Sequence, residues 1–494
     1  MNSLDYGVLA TYAGLLLLIG ARVGRGHQEE GEFTLGGRRM PTWAVLSSMT
    51  ATELSAATFI GVPHAAYTGD WSYLQLAVGA LLAKAVLARH VIPLYRRLEI
   101  VTVYGFLQER FGPRPQRAAA LSFSIGRLFA SGARLFIAAL ALSAVTDIPI
   151  PWAVVGCGLV AGIYTIAGGI RAVIWTDTLQ ALLLLTSAVA VLFLLVEATP
   201  GGISGLFDWA TDRGQTQILH LTPIFSLTDG RALGTALLGG FFLTLATHST
   251  DHDMVQRLLT TRSAKGGSRA LMGSALLNFP LTLVFLMIGT GLAHFYATPP
   301  SYSIEDQARI LPLFAFHELP PGLRGLLFAG LFAAAMSSLD SAICALATTW
   351  THDILPAPPG APDTLRRMKR CSAGVTLLLV AAALAMAQYH ALLVKHGTPL
   401  NLVEFALSSM SILYGGLLGI FALGITTRHR GSPTSVVAGL SLGALIGLAL
   451  FLHPVVLGYT RVAWPWWIPI SALASYALAS TARTTAVFQT QKPD

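Results

Sequence analysis

The chain has 494 residues, of which 54% are hydrophobic and only 11% charged, against about 25% charged in an average soluble domain. A mean hydropathy of +0.63 excludes a large soluble enzyme and a disordered chain, and 48 glycines without a Gly-X-Y period exclude collagen. An integral membrane protein remains, whose net charge of +8 must be read by position between spans rather than as a nucleic-acid patch.

Apolar segments run at about 4–20, 41–66, 73–95, 118–145, 152–168, 172–196, 232–250, 270–296, 323–349, 371–389, 401–425, 433–452 and 464–480, thirteen in all. They are longer and more continuous than the roughly 10-residue alternating strands of a membrane barrel, so spanning helices are predicted. The first segment lacks a basic leader, carries Asp5 before its apolar run and ends in Arg22 and Arg25; it reads as a membrane helix rather than a signal peptide. Alternate connections hold 22 and 6 of the Lys and Arg residues, with 4 inside helices. This asymmetry predicts a multi-pass protein of the cell membrane with its N-terminus outside and its C-terminus in the cytoplasm.

No Walker A pattern supports ATP-driven transport, and no loop is long enough for a second soluble domain. Cys157, Cys344 and Cys371 read as packing residues rather than a disulfide framework. The GxxxG spacings at Gly158/Gly162, Gly415/Gly419 and Gly439/Gly443/Gly447 predict close helix approach.

Ionisable residues at membrane depth are costly, at about 2.5–3.5 kcal/mol on insertion scales. Here the acids are Glu53, Asp177, Asp340 and Glu404, and the bases are Lys84, Arg89, Arg127 and Arg134. Four of each suggests paired charges, or snorkelling for Arg89 and Arg127. The second segment, SSMTATELSAATFIGVP, has nine Ser, Thr, Glu, Gly or Pro among seventeen residues. A helix broken near Thr50–Ser55 would free backbone carbonyls to coordinate a cation, with the Glu53 carboxylate nearby. Glu53 has a second reading, a salt bridge to Lys84 or Arg134.

In the ninth segment Ser337, Asp340 and Ser341 share one helix face at i, i+3, i+4 spacing, and Ser338 lies beside them. The set suggests oxygen ligands for a hard ion, although serine hydroxyls can also bond back to the preceding turn. Asp177, in GGIRAVIWTDTLQ, fits an ion ligand and an acid near a helix N-terminus equally well.

GGIRAVIWTDTLQ and AAAMSSLDSAI resemble the two most diagnostic stretches of the sodium/solute symporter family. ATELSAATFIGVP, GDWSYLQLAVG, YGFLQERFG and TDHDMVQRLL match as well, in the family's order over about residues 4–425. The first half is most similar to the branch of iodide, monocarboxylate and multivitamin carriers. The resemblance implies an all-α membrane protein of about thirteen transmembrane helices around a leucine-transporter-type core of two inverted five-helix repeats. By position these would be 41–196 and 232–425, flanked by an extra helix at 4–20 and two at 433–480, within a single domain over 1–494.

The resemblance implies sodium as the coupling ion, one or two per cycle. The first site would use carbonyls of Ala51, Leu54 and Ala334 and hydroxyls of Ser337 and Ser338, with Glu53 close by. A second would lie at Asp177, Asp340 and Ser341. The solute cavity would be lined by Thr58, Gln75, Ala77, Ala80, Thr247 and His248; His248 reads equally as a buried, hydrogen-bonded imidazole. Three departures stand out: Glu53 replaces the usual Asn or Phe, Thr58 a Gln that often touches substrate, and His252 a Gln.

Together these predict sodium-coupled import of a small solute by alternating access. The expected solute is a small organic anion such as a monocarboxylate, with sugar, amino acid or vitamin as alternatives. A channel would need a continuous polar pore, an intramembrane enzyme shows no HExxH or nucleophile elbow, and a sensor would need a signalling domain. The expected partners are the solute and the lipid bilayer, without nucleic acid and without an evident obligate protein partner.

Overall fold

In the computed structural model the described residues are 1–25, 29–146, 148–298, 310–356, 363–395, 402–458 and 461–483. Arg309 and Lys492 of the charge count, and the side chains of Lys395 and Glu404, lie outside them. The described residues form helices and no β-strand, with only two isolated bridges, Met40–Thr261 and Arg430–Arg483.

The first helix, α1 (Ser3–Gly24), starts in a capping box between Asn2 and Asp5. Asp5 also accepts from the Gly322 and Gly325 amides at 2.8 and 3.0 Å, so the acid before the apolar run closes one helix end and pins another. A short α2 (Glu30–Leu35) leads to α3 (Thr42–Glu53) and α4 (Ala56–Thr68), and then to α5 (Tyr73–Val86), which continues through a π turn into α6 (Ile92–Arg97). Next come α7 (Tyr104–Phe111), α8 (Pro113–Thr146) and α9 (Ile150–Glu197).

Two predicted segments lie along α9, which breaks at Gly169 with φ 55° and ψ −151°. A Cβ there would sit 2.5 Å from the Phe33 carbonyl oxygen, so only glycine allows this bend against α2. The second half of the chain supplies α10 (Gly202–Asp212), α11 (Leu233–Thr250), α12 (His252–Leu259), α13 (Ala264–Phe295), α14 (Ile310–Glu318), α15 (Leu323–Thr349), α16 (Thr364–Lys395), α17 (Leu402–Thr426), α18 (Pro433–Leu457) and α19 (Trp467–Ala479).

Among the described residues eight helices are long and apolar enough to cross a membrane, or nine with the bent α3–α4 pair as one span; the count of thirteen is not reached by that measure. The span built on α15 is 94% buried, against 17% for α1. Thus α15 forms the centre and α1 the perimeter, where Leu4 and Leu18 face outward. The predicted glycine contacts occur: a Cβ at Gly447 would stand 2.2 Å from the Ile412 carbonyl, and one at Gly419 2.5 Å from the Ser475 Cβ.

Candidate ion and solute site

The second apolar segment breaks where its polar run predicts. α3 ends at Glu53, Leu54 leaves helical geometry at φ −84° and ψ 63°, Ser55 is extended, and α4 resumes at Ala56. The two halves diverge by 55°. The Leu54 amide still donates to the Thr50 carbonyl at 3.0 Å, and the Phe59 amide to the Ser55 carbonyl at 2.9 Å. Among the described residues no backbone amide donates to the carbonyls of Ala51 or Leu54. Free carbonyls at membrane depth need a polar partner.

That break packs on α15. The hydroxyls of Thr52 and Ser337 are 3.0 Å apart, and Ser337, Ser338 and Ala334 are all at most 1% exposed. Ser338 Oγ lies 3.4 Å from the Ala334 carbonyl oxygen, too long for a strong back-bond. Ser341, in contrast, donates to the Ser337 carbonyl at 2.7 Å, the ordinary helix use of a serine. The oxygens expected of the first sodium site thus come from two helices brought together at the Thr52–Ser337 contact.

Asp177 lies eight residues beyond the Gly169 break, past the first turn in which a helix dipole acts strongly. Its Oδ2 accepts from Ser48 at 2.5 Å and from two nitrogens of Arg257 at 3.2 and 3.4 Å; its buried Oδ1 makes no close hydrogen bond among the described residues, although the Ser337 side chain lies within reach of the carboxylate. Asp340 accepts from Tyr164 at 2.8 Å, from Thr176 at 3.4 Å and from the Ser341 amide at 2.6 Å. Arg257 continues to Asp253 at 2.8 Å, Asp253 to Arg127, and Arg127 to Asp251 at 3.1 Å. Tyr414 also donates to Asp251, and Arg134 lies near that carboxylate. Asp177, Asp340, Asp251, Asp253, Arg257, Arg127 and Arg134 are all at most 7% exposed.

Glu53 makes the salt bridge of its second reading, to Lys84. Its carboxylate lies 2.5 Å from Lys84 Nζ and 2.5 Å from Asn278 Nδ2, with Ser274 at 3.2 Å and His248 Nε2 at 3.1 Å. Lys84 Nζ also donates to Ser274 at 3.1 Å. Arg134 is near Asp251 instead. The Thr247 hydroxyl lies 2.9 Å from His248 Nδ1, and the Thr58 hydroxyl donates to the Glu53 carbonyl at 3.3 Å. Of the expected solute residues, Thr58, Thr247 and His248 thus gather around Glu53. Ala80 lies one turn before Lys84 on α5, and Ala77 is half-buried further along.

Gln75 stands apart. Its amide donates to the Arg231 carbonyl at 2.9 Å, tying α5 to the connection before α11. There Asp70 pairs with His220 at 2.8 Å; burial alone would raise the Asp70 carboxyl, but hydrogen bonds from Ser72 and His220 outweigh it and hold the carboxyl below its usual range. His252 is fully buried on α12 with neither ring nitrogen partnered among the described residues.

Removing the charge of Glu53 tests the ion pair. Breaking a buried pair by deleting one partner costs about 3–5 kcal/mol, so Glu53→Gln should lower the Tm of the purified protein clearly. Replacing Lys84 by Met in the same chain should recover much of that loss, because the uncompensated ammonium disappears. If Glu53→Gln leaves Tm unchanged and lowers sodium affinity instead, its carboxylate serves the ion and not Lys84.

Arg257, Ser48, Asn278, Ser274 and Tyr164 were not singled out from sequence. Arg257 stands in the sequence at the start of a basic stretch with Arg262, Lys265 and Arg269, yet it is fully buried. Its i, i+4 spacing from Asp253 was the available signal.

The sodium:solute symporter family model matches residues 33–428. A sodium/sialic acid symporter of Proteus mirabilis is 31% identical over 90% of this chain and 89% of its own. The human sodium-coupled monocarboxylate transporter 1 is 27% identical over 91% and 74%. In structure, a Na+-coupled sialic acid symporter, solved substrate-bound and outward-open with a novel Na+ site, superposes with a TM-score of 0.86 at 27% identity over 97% of both chains. A nucleobase-cation-symport-1 family transporter shares the fold at a TM-score of 0.58 and 16% identity, over 90% of this chain and 93% of its own. The broken α3–α4 helix, packed on the serines of α15 within a leucine-transporter-type core, therefore belongs to a sodium-coupled transporter and not an enzyme: the chain is a member of the sodium:solute symporter family.

Proposed function

We propose that this symporter imports a carboxylated monosaccharide of the sialic acid type, with two sodium ions per cycle, from the side that carries the N-terminus. The observation that carries the ion reading is the break at Leu54, where the Ala51 and Leu54 carbonyls accept from no backbone amide among the described residues, on a helix that meets Ser337 at Thr52. The first sodium takes these with Ala334, Ser337 and Ser338. A second takes the Oδ1 of Asp177, which makes no close hydrogen bond among the described residues, with Asp340 and Ser341. The repeats are assigned to 41–196 and 232–425 within one domain.

The solute class rests on the sialic acid symporters among the relatives, and it narrows the organic anion expected from the sequence. Two sodium ions and one carboxylate move a net single positive charge inward, which across 100 mV supplies about 2.3 kcal/mol, enough for roughly 50-fold accumulation of the anion before any sodium gradient is added. Proteoliposomes should accumulate sialic acid only with sodium outside, with a Hill slope for sodium near two. Accumulation of lactate but not sialic acid would restore the simple monocarboxylate reading, and sodium-independent uptake would overturn the coupling.

A further inference from the structure

The connection from α10 to α11 carries no Asp, Glu, Lys or Arg between Arg213 and Asp229. Within it Ile218, Leu219, Leu221, Ile224, Phe225 and Leu227 are each between 37% and 59% exposed. The polar groups of the stretch turn the other way. His220 reaches Asp70 at 2.8 Å, and the Ser226 hydroxyl accepts from the Asp229 amide at 2.9 Å. Its backbone carbonyls are taken up by other segments: Gln217 accepts from the Trp71 amide at 3.0 Å, His220 from Leu233 at 2.9 Å, Ile224 from Gly234 at 2.7 Å and Leu227 from Ala463 at 2.6 Å. Water favours the reverse arrangement. Apolar side chains turned outward over a backbone that the protein itself satisfies suit contact with hydrocarbon.

The depth of this loop is set by what it is tied to. Trp71 and Gln75 stand at the start of α5, Leu233 and Gly234 at the start of α11, and Ala463 just before the Trp464–Trp466 turn that opens α19. The loop therefore lies level with the end of the α5 span and not above it. Trp466 Nε1 donates to the Ser226 carbonyl at 2.8 Å, and the neighbouring Trp464 is partly exposed. Tryptophans with an apolar body and one polar contact mark the boundary between headgroups and acyl chains. From the same end α5 presents Val78, Leu82 and Val86 on one exposed face, the stripe of a helix in contact with lipid.

We propose that residues 218–227 form a membrane-interface anchor whose partner is the bilayer itself. The six apolar side chains lie among the first acyl carbons of the leaflet on the side where α1 begins, a side given by the alternation of spans. The inward side of the anchor holds the start of α5 through His220 on Asp70 and through the Arg231 carbonyl on Gln75 at 2.9 Å. Lipid contact thus fixes the end of the helix that carries Lys84.

The test uses the purified full-length protein with trifluoromethyl-phenylalanine in place of Phe225, in phosphatidylcholine nanodiscs that hold a single copy. The fluorine resonance is read against two relaxation agents, a lipid spin-labelled just below its headgroup and a water-soluble gadolinium chelate. The lipid label should abolish the resonance and the chelate should leave most of it. Loss to the chelate with none to the lipid label would overturn the proposal. Protection from the chelate that arises only in discs holding two copies would also overturn it, and would give the surface to a second chain. Leu221→Asp combined with Ile224→Asp brings carboxylates that acyl chains do not accept. Both positions are exposed, so the Tm should match that of the parent, while the Phe225 probe loses its response to the lipid label and gains one to the chelate. A probe that keeps its lipid contact in this folded variant would show that the apolar side chains do not hold the loop, and would refute the anchor.

Discussion

Replacing Arg257 by Ala is expected to destabilise the folded protein by about 3–5 kcal/mol, the cost of leaving a buried charge without its partner. The guanidinium is fully buried and holds both Asp177 and Asp253, so its loss leaves Asp177 without a cationic partner in an apolar interior, while Asp253 keeps Arg127. Part of that loss should return when sodium is added. An ion that binds the folded state raises its stability by mass action, and in Arg257→Ala the charge at Asp177 that attracts sodium is no longer shared. Sodium should therefore raise the Tm of Arg257→Ala by more than it raises the wild-type Tm. Equal shifts in the two proteins would mean that Asp177 binds no cation and that Arg257 is a structural tie alone. The companion variant Asp177→Asn should remove the difference.

Ser337→Ala should produce the largest change in transport without a comparable change in folding. It deletes one oxygen from the shell built on Ala51 and Leu54 and leaves Thr52 without its partner at 3.0 Å. Thr52 retains its donation to the Ser48 carbonyl at 2.9 Å, so little is left unsatisfied. A loss of about tenfold or more in apparent sodium affinity is expected, equivalent to about 1.4 kcal/mol. Ser338→Ala should act in the same direction, since its hydroxyl makes only a 3.4 Å contact and is free to turn to an ion. Sodium dependence of uptake identical to wild type in both variants would refute the first site.

Much of this was readable from residues. Nine polar or helix-disturbing residues in one apolar segment foretold the break at Leu54, because only a segment with another use for its backbone tolerates them in a membrane. The helix period placed Ser337, Asp340 and Ser341 on one face, and the structure keeps them together. The GxxxG glycines foretold helix contact, because packing there depends on a missing side chain rather than on a particular partner.

What the sequence could not do was choose partners. Glu53 had two candidate bases, and Lys84 is the one at 2.5 Å, since α3 and α5 meet across Ser274 and Asn278 of a helix some 190 residues further on. Arg257 counted as one more basic residue near an inner connection until folding buried it between Asp177 and Asp253. The sequence by itself determined the solvent, the helices, the break and the chemical types of ligand, because each follows from local composition and the 3.6-residue period. Tertiary structure decided which charge neutralises which, and so which oxygens remain for sodium. Pairing energy in a low-dielectric interior depends on distances of a few ångströms between residues far apart in the chain, and the packing of the helices sets those distances.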